Sequence, residues 1–369
     1  MNYAQKGAEL LGRAGITVGG KDPWDPQVHH PDTFKRAFKG GTISIGESYM
    51  DGWWDVEDLA AFFYKIFRSN IHNKFVNVGV AWHVARARIF NLQSVRRSRQ
   101  VGEKHYDIGN ELYRKMLGSR MVYTCGYWKH AHTLDEAQEA KLDLVCRKIG
   151  LRKGDRVLDI GGGWGSFAKY AAERYGANVV AITISEEQAK LGRELTSGLP
   201  VEIRVQDYRN VDEKFDHIVS LGMFEHVGYR NYRTFMKKVR SLLKDEGLFL
   251  LHTIGGNKTA FTADPWINKY IFPNGMLPSI AQIGKSVEGL FVMEDWHNFG
   301  ADYDRTLMSW HKNFTASWND IGGNYDERFR RMWEFYLLSS AATFRSRKNQ
   351  LWQIVLSKDG VDAGYESIR

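Results

Sequence analysis

Cysteine is scarce in this chain of 369 residues: only Cys125 and Cys146 occur, with no CxxC pair and no Cys/His cluster. Two thiols cannot build a disulfide framework, and nothing has zinc-ligand spacing. The pattern fits a reducing cytoplasm and no bound metal. Long apolar runs are missing as well. The stretch from Ala60 to Phe67 is interrupted by Lys65 and falls far short of the roughly 20 residues of a membrane-spanning helix. Met1 to Leu11 carries Lys6 and Glu9 without an apolar run before a cleavage site, so no secretory signal is expected. Internal repeats and low-complexity tracts are absent. A composition of 43% hydrophobic and 25% charged residues is that of an ordinary globular protein, which excludes wholesale disorder and collagen-like repeats. At roughly 150 residues per domain the length suggests two domains.

What the chain has in excess is positive charge, a net +8, and its distribution is uneven. Between Ala85 and Lys104 six bases (Arg86, Arg88, Arg96, Arg97, Arg99 and Lys104) face a single acid, Glu103. A run of this kind is often only a solvated linker. Here Ile89, Phe90, Leu92 and Val95 are interleaved with the arginines, which suits a segment lying on an anionic lipid surface. Nucleic acid is the competing polyanion. No helix-turn-helix, RRM signature or zinc finger supports it, so no nucleic-acid partner is expected.

The N-terminal part, to about Ile89, has turn-rich pieces followed by "ISIGESYMDGWWDVEDLAAFFYKIF". Asp55 reads as an N-cap, followed by Leu59, Phe62, Phe63 and Ile66 at helical spacing. Core packing is the favoured reading of this aromatic stripe, with Trp53 and Trp54 at a lipid interface as the lesser one. Beyond the basic segment, strand and helix patterns alternate, as in an α/β protein with a parallel sheet. "RVLDIGGG", "NVVAIT", "FDHIVSLGM" and "GLFLLHTIG" read as buried strands, and Gly176 closes the helix "SFAKYAAERY". In such sheets ligands bind at the carboxyl ends of the strands.

One of those ends carries Asp159 and the loop Gly161-Gly162-Gly163-Trp164-Gly165-Ser166. Glycines there let backbone approach a bound molecule. A dinucleotide site would show GxGxxG and an acid ending the next strand, whereas this strand ends in Thr183. NAD is disfavoured, and a nucleoside cofactor without a pyrophosphate fits better. Asp207, after "VEIRV", is placed to accept from adenine or ribose, or else simply starts a turn. Glu225 and His252 end two further strands and together make an acid/base pair. Either alone is more often structural.

The strings "HYDIGNELY", "YTCGYW", "DIGGGWG", "TISEEQ", "QDYRNV", "GMFEHVG", "LLHTIG", "DPWINKYIFPNG", "MEDWHNFGADYDRTL" and "RSRKNQLWQ" together resemble the bacterial cyclopropane-fatty-acyl-phospholipid synthases, within the S-adenosylmethionine methyltransferases. The resemblance spans Val101 to Ile354, and "GESYMDGWWD" and "NLQS" extend it toward the N-terminus. It implies a Rossmann-like class I methyltransferase domain at 105–369, a smaller, mainly helical docking domain at 1–88, and a basic linker at 89–104. It further implies a homodimer acting on unsaturated phospholipid at the inner face of the cytoplasmic membrane. The matching cofactor positions are Tyr123, Thr124, Asp159, Gly161, Gly162, Gly163, Thr183, Gln188, Asp207 and Tyr208. The resemblance also implies a bicarbonate ion held by Cys125, Glu225, His252, the backbone of Ile254, and Tyr303. Tyr123 and Trp128 offer π faces to a cation or are ordinary packing. Cys125 has no basic neighbour in sequence to activate it as a nucleophile, and Cys146 reads as core. The chain departs from the family at Gly162 and near Ser340, where relatives usually carry cysteine, which speaks against a covalent thiol mechanism. A methyltransferase that leaves a branched chain or acts on a small molecule or RNA is the rival reading. A catalytically silent lipid- or cofactor-binding protein ranks below it.

Overall fold

The computed structural model describes residues 2–71 and 109–369. The basic segment from Ala85 to Lys104 therefore lies outside the described residues. The chain forms two compact units that are interleaved in sequence. The first gathers 1–90, 261–273 and 303–349; the second gathers 91–260, 274–302 and 350–369. Two segments expected in the catalytic part, 261–273 and 303–349, thus pack with the N-terminal region. The segment "DPWINKYIFPNGMLPS" is divided between the units.

The first unit is mainly helical. The helix Leu59–Arg68 buries Leu59, Phe62, Phe63 and Ile66 on one face, as its spacing predicts. Its cap is Asp58, whose side chain accepts from Ala61 N at 2.8 Å. The expected cap, Asp55, instead sits in a two-residue strand, Trp54–Asp55, paired with Gln27–Val28, and its carboxylate binds Arg331 at 2.7 Å. Strand pairing there delays the helix by one turn. The helix Glu327–Arg345 packs against this face, with Phe335 edge-on to Phe63 at 5.1 Å and tilted on Trp266 at 4.6 Å. Trp54 is buried and donates from Nε1 to Ser48 Oγ at 3.0 Å. Trp53 stacks on His30 at 3.8 Å under the Arg36 guanidinium. Core packing accounts for Trp54.

The second unit is built on a seven-stranded sheet of β1 (Arg156–Ile160), β2 (Asn178–Thr183), β3 (Val201–Val205), β4 (Phe215–Leu221), β5 (Leu243–Gly256), β6 (Val292–Asn298) and β7 (Asn349–Ser357). The strand order is β3-β2-β1-β4-β5-β7-β6. The pairs among β1 to β5 are parallel. β6 and β7, which the apolar-run reading did not isolate, extend the sheet as an antiparallel pair. Alternation along each strand feeds two cores. Leu158, Val180, Ile182, Ile218 and Phe249 join one, while Val157, Val179, Ala181, Val219 and Leu250 join the other. Helices α1 (Leu134–Lys148), α2 (Ser166–Tyr175), α3 (Glu186–Leu195) and α4 (Tyr232–Leu242) join or flank the strands. α1 starts with a full capping box of Thr133 and Glu136. The N–H of Gly176, in the left-handed region, caps α2 onto Ala171 and Ala172 carbonyls. The chain turns away from β1 to β2 on one side, while β4 lies on the other, so a crevice opens at the carboxyl end of β1.

Candidate active site

The glycine loop closes over that crevice. The N–H groups of Gly161 and Gly162 both donate to Ile182 O, at 2.9 and 3.0 Å, so the loop leaves β1 along the end of β2. Gly161 has φ +86°, and a Cβ there would lie 2.6 Å from Met223 Cβ, just beyond β4. Only glycine permits both the backbone angle and the approach. Trp164 is buried, with Nε1 donating to Asn110 Oδ1 at 3.0 Å and its ring tilted on Tyr113 at 5.1 Å.

Beside this loop Thr183 Oγ1 donates to Gln188 Oε1 at 2.8 Å, and Ser185 caps α3 by accepting from Gln188 N. The end of β2 and the first turn of α3 therefore act as one buried patch, and the two expected residues on it meet. Asp207 behaves as the turn starter: Oδ1 accepts from Arg209 N at 3.0 Å and caps the short turn Tyr208–Asn210. Tyr208 is buried, edge-on to Phe235 at 5.1 Å, and burial raises its hydroxyl above the usual range. Tyr123 sits edge-on to Tyr113 at 5.3 Å. Thr124 lies against the end of β4, where a Cβ on Gly222 would come within 2.7 Å of its methyl group.

The acid/base pair is assembled by β4 and β5. Leu221 pairs with His252 across the ladder, and Gly222 N donates to His252 O at 2.9 Å. Glu225 follows β4 in a short turn and is held by Ile254 N, which donates to Oε1 at 2.7 Å. Its other oxygen, Oε2, is buried with no hydrogen-bond partner among the described residues. Burial raises the carboxyl to about 7, against the pull of the Ile254 N–H. His252 is buried too. Burial, with the charges of Lys141 and Lys148, holds its imidazole well below the usual range, so the ring is neutral. Gln353 Nε2 lies 3.4 Å from Nδ1. With that amide donating, the ring proton is assigned to Nε2, which has no partner among the described residues. One unpaired acceptor and one unpaired donor thus stand at adjacent strand ends.

Cys125 is fully buried and its thiol donates to Gly126 O at 3.1 Å. Cys146 is core, as expected. Tyr303 belongs to the first unit, where its ring is buried against Phe344 at 4.6 Å and Trp310 at 5.9 Å. Trp128 is buried, and its backbone N–H donates to Asp302 Oδ2 at 2.7 Å.

Three polar residues of the second unit escaped the sequence reading. Gln138 and Lys141, both fully buried on α1, hold the loop 122–124: Gln138 Nε2 donates to Thr124 O at 2.8 Å and Lys141 Nζ to Thr124 Oγ1 at 2.8 Å. Lys148 is buried beside His297 and Asp295. The signal was present. Leu134, Gln138, Lys141, Val145 and Lys148 recur at three- and four-residue steps, which makes one helix face on which the polar members are out of place unless they are used.

Residues 93–354 match the family described as mycolic acid cyclopropane synthetase. The chain is also 52% identical over 369 residues to the cyclopropane-fatty-acyl-phospholipid synthase of Escherichia coli K12, covering 100% of this chain and 96% of that one. It belongs to the cyclopropane synthase family. The chain is accordingly an S-adenosylmethionine-dependent methyltransferase. Its similarity to the tuberculostearic acid methyltransferase of Mycobacterium tuberculosis is 32% over 373 residues, covering 94% of this chain and 86% of that one. A mycolic acid cyclopropane synthase solved with SAH and CTAB superposes with a TM-score of 0.66 at 30% identity, over 70% of this chain and 98% of that one. The expected class I methyltransferase fold is the one observed. Among the described residues no helix is long and apolar enough to cross a membrane.

Proposed function

We propose that this cyclopropane synthase family member transfers the methyl carbon of S-adenosylmethionine to the cis double bond of an unsaturated phospholipid acyl chain and closes a cyclopropane ring. The observation that carries the reading is the unpaired pair, Glu225 Oε2 and His252 Nε2, in a chain so similar throughout to a phospholipid cyclopropane synthase. S-adenosylmethionine, when bound, supplies an electrophilic methyl group. The residues that would hold it are Tyr123, Thr124, Asp159, Gly161 to Gly163, Thr183, Gln188, Asp207 and Tyr208. The site fits such a guest, since Asp159 Oδ1, buried on the strand that leads into the glycine loop, has no hydrogen-bond partner among the described residues.

Adding a methyl cation to an alkene leaves a carbocation, and ring closure then needs a proton removed from the new methyl group. A strong nucleophile nearby would trap the cation. Cys125 is consistent with this demand, because its thiol is turned to a backbone carbonyl. Bicarbonate, when bound, supplies a weak base. Cys125, Glu225, His252 and the Ile254 backbone, all of the second unit, would hold it. The donor set fits an anion with one acidic hydroxyl: His252 Nε2 has a proton to give and Glu225 Oε2 can accept one. Ile254 fixes which carboxylate oxygen is available, and neutral His252 orients its Nε2 proton through Gln353.

Residues 1–88 and the basic segment 89–104 would dock the enzyme peripherally on the anionic inner face of the cytoplasmic membrane, and a homodimer would double those contacts. The test is incubation with methyl-labelled S-adenosylmethionine and vesicles of either monounsaturated or saturated phospholipid. Label in cyclopropane acyl chains from the unsaturated vesicles alone is the expected result; label on oxygen or nitrogen, or none, contradicts the reading. A branched-chain product is the second reading, favoured by the similarity to a tuberculostearic acid methyltransferase, and hydrogenation of the product distinguishes it.

A further inference from the structure

Lys141 is wholly buried, and its one hydrogen bond among the described residues goes to Thr124 Oγ1 at 2.8 Å. A hydroxyl that accepts from an ammonium keeps its own proton to give, and that proton meets no acceptor among the described residues. The ammonium has further protons to donate as well. Asp159, at the end of β1, is also buried, and its Oδ1 is unpaired. The two charges act on each other without forming a direct ion pair. Spare donors on Thr124 and Lys141, and a carboxylate oxygen on the strand that leads into the glycine loop, are thus left unpaired among the described residues.

We propose that Lys141 is a positioning residue for the amino-acid end of the cofactor, presenting the Thr124 hydroxyl as a donor to a carboxylate while Asp159 receives an ammonium. The ligand class is a nucleoside linked through sulfur to an α-amino acid zwitterion. This rests on the reading of the site as an S-adenosylmethionine site. Burial drives Lys141 down to about 7 and Asp159 up to about 7, each opposed by the charge of the other, and a zwitterion answers both charges at once. Cys125 and His252 also face the ammonium's field. A lysine that merely balanced Asp159 would affect every ligand of the pocket alike.

The experiment is calorimetric binding of S-adenosylhomocysteine and of 5′-methylthioadenosine, which keeps the nucleoside and sulfur but lacks the amino-acid end. Lys141→Met is expected to weaken S-adenosylhomocysteine by about tenfold or more, the scale of one hydrogen bond to a charged group, with methylthioadenosine unchanged. Thr124→Val is expected to show the same selective loss, and the double variant to lose no more than the worse single one. Thr124→Val carries the test by itself if Lys141→Met does not fold. Equal losses on both ligands, no loss on either, or additive losses in the double variant overturn the proposal. Failure of the parent protein to bind either ligand sinks the cofactor reading instead.

Discussion

The backbone N–H of Ile254 donates to Glu225 Oε1 at 2.7 Å, tying a carboxylate that follows β4 to the end of β5. This single bond decides which oxygen of Glu225 remains available and keeps it beside His252. A proton-handling group is thereby fixed on rigid strands and not on a loose side chain.

Replacing Glu225 with Gln keeps the shape but removes the acidic site. Turnover should fall by about 10²–10⁴-fold, the usual scale of a lost general acid or base, with S-adenosylmethionine affinity nearly intact. Steady-state kinetics beside direct binding measures this split. A pH effect on stability accompanies it. Glu225 moves from 4.5 in the unfolded chain to about 7 when buried, so across that window the folded state holds a proton the unfolded state has lost. Its contribution to stability therefore falls as pH rises from about 4.5 to 7. Denaturant melts should show the variant gaining on the parent as pH climbs through that range.

Gly162 follows β1 in the glycine loop and leaves no room for a side chain. A Cβ built there lies 2.8 Å from Ala181 Cβ on β2 and 3.0 Å from Asp159 Oδ2. Gly162→Cys should cost about 1–3 kcal/mol of stability through overpacking, and adding Ala181→Gly should restore part of it. Urea denaturation of the single and double variants checks both.

In the first unit Arg331 donates to Tyr49 O at 2.6 Å and Trp54 O at 3.0 Å, and pairs with Asp55. Arg331→Met takes the guanidinium from both carbonyls and from Asp55; Tyr49 O keeps the N–H of Gly52 at 3.0 Å, while Trp54 O loses its donor. A loss of about 2–3 kcal/mol is expected in a denaturant melt.

Charge reversal is not needed to test docking. Changing Arg96, Arg97 and Arg99 to Gln removes three bases, each worth about 1 kcal/mol near an anionic leaflet. Sedimentation with anionic vesicles should weaken, most clearly at low salt. Unchanged partitioning removes the docking role.

The strand ends were legible because a buried parallel strand reads as an apolar run, and the glycines after Asp159 mark its end. From there Thr183, Gln188, Glu225 and His252 could be placed by counting. Asp207 and Tyr208 were less legible: an aspartate after a strand has the same spacing whether it caps a turn or binds a ligand, and here Oδ1 caps. Lys141 was hidden because a lysine on a helix ordinarily faces water, and only its position on the buried stripe marks it out. The interleaving of 261–273 and 303–349 with the N-terminal region was not legible at all. It depends on contacts such as Trp266 on Phe335 and Lys269 on Glu47, which are distant in sequence.

The central claim is that a proton leaves the transferred methyl group itself. Incubating the enzyme with trideuteromethyl S-adenosylmethionine and monounsaturated phospholipid vesicles, followed by mass spectrometry of the acyl chains, tests it directly. The account predicts a saturated ring that retains two of the three deuterons; a product that keeps all three contradicts it.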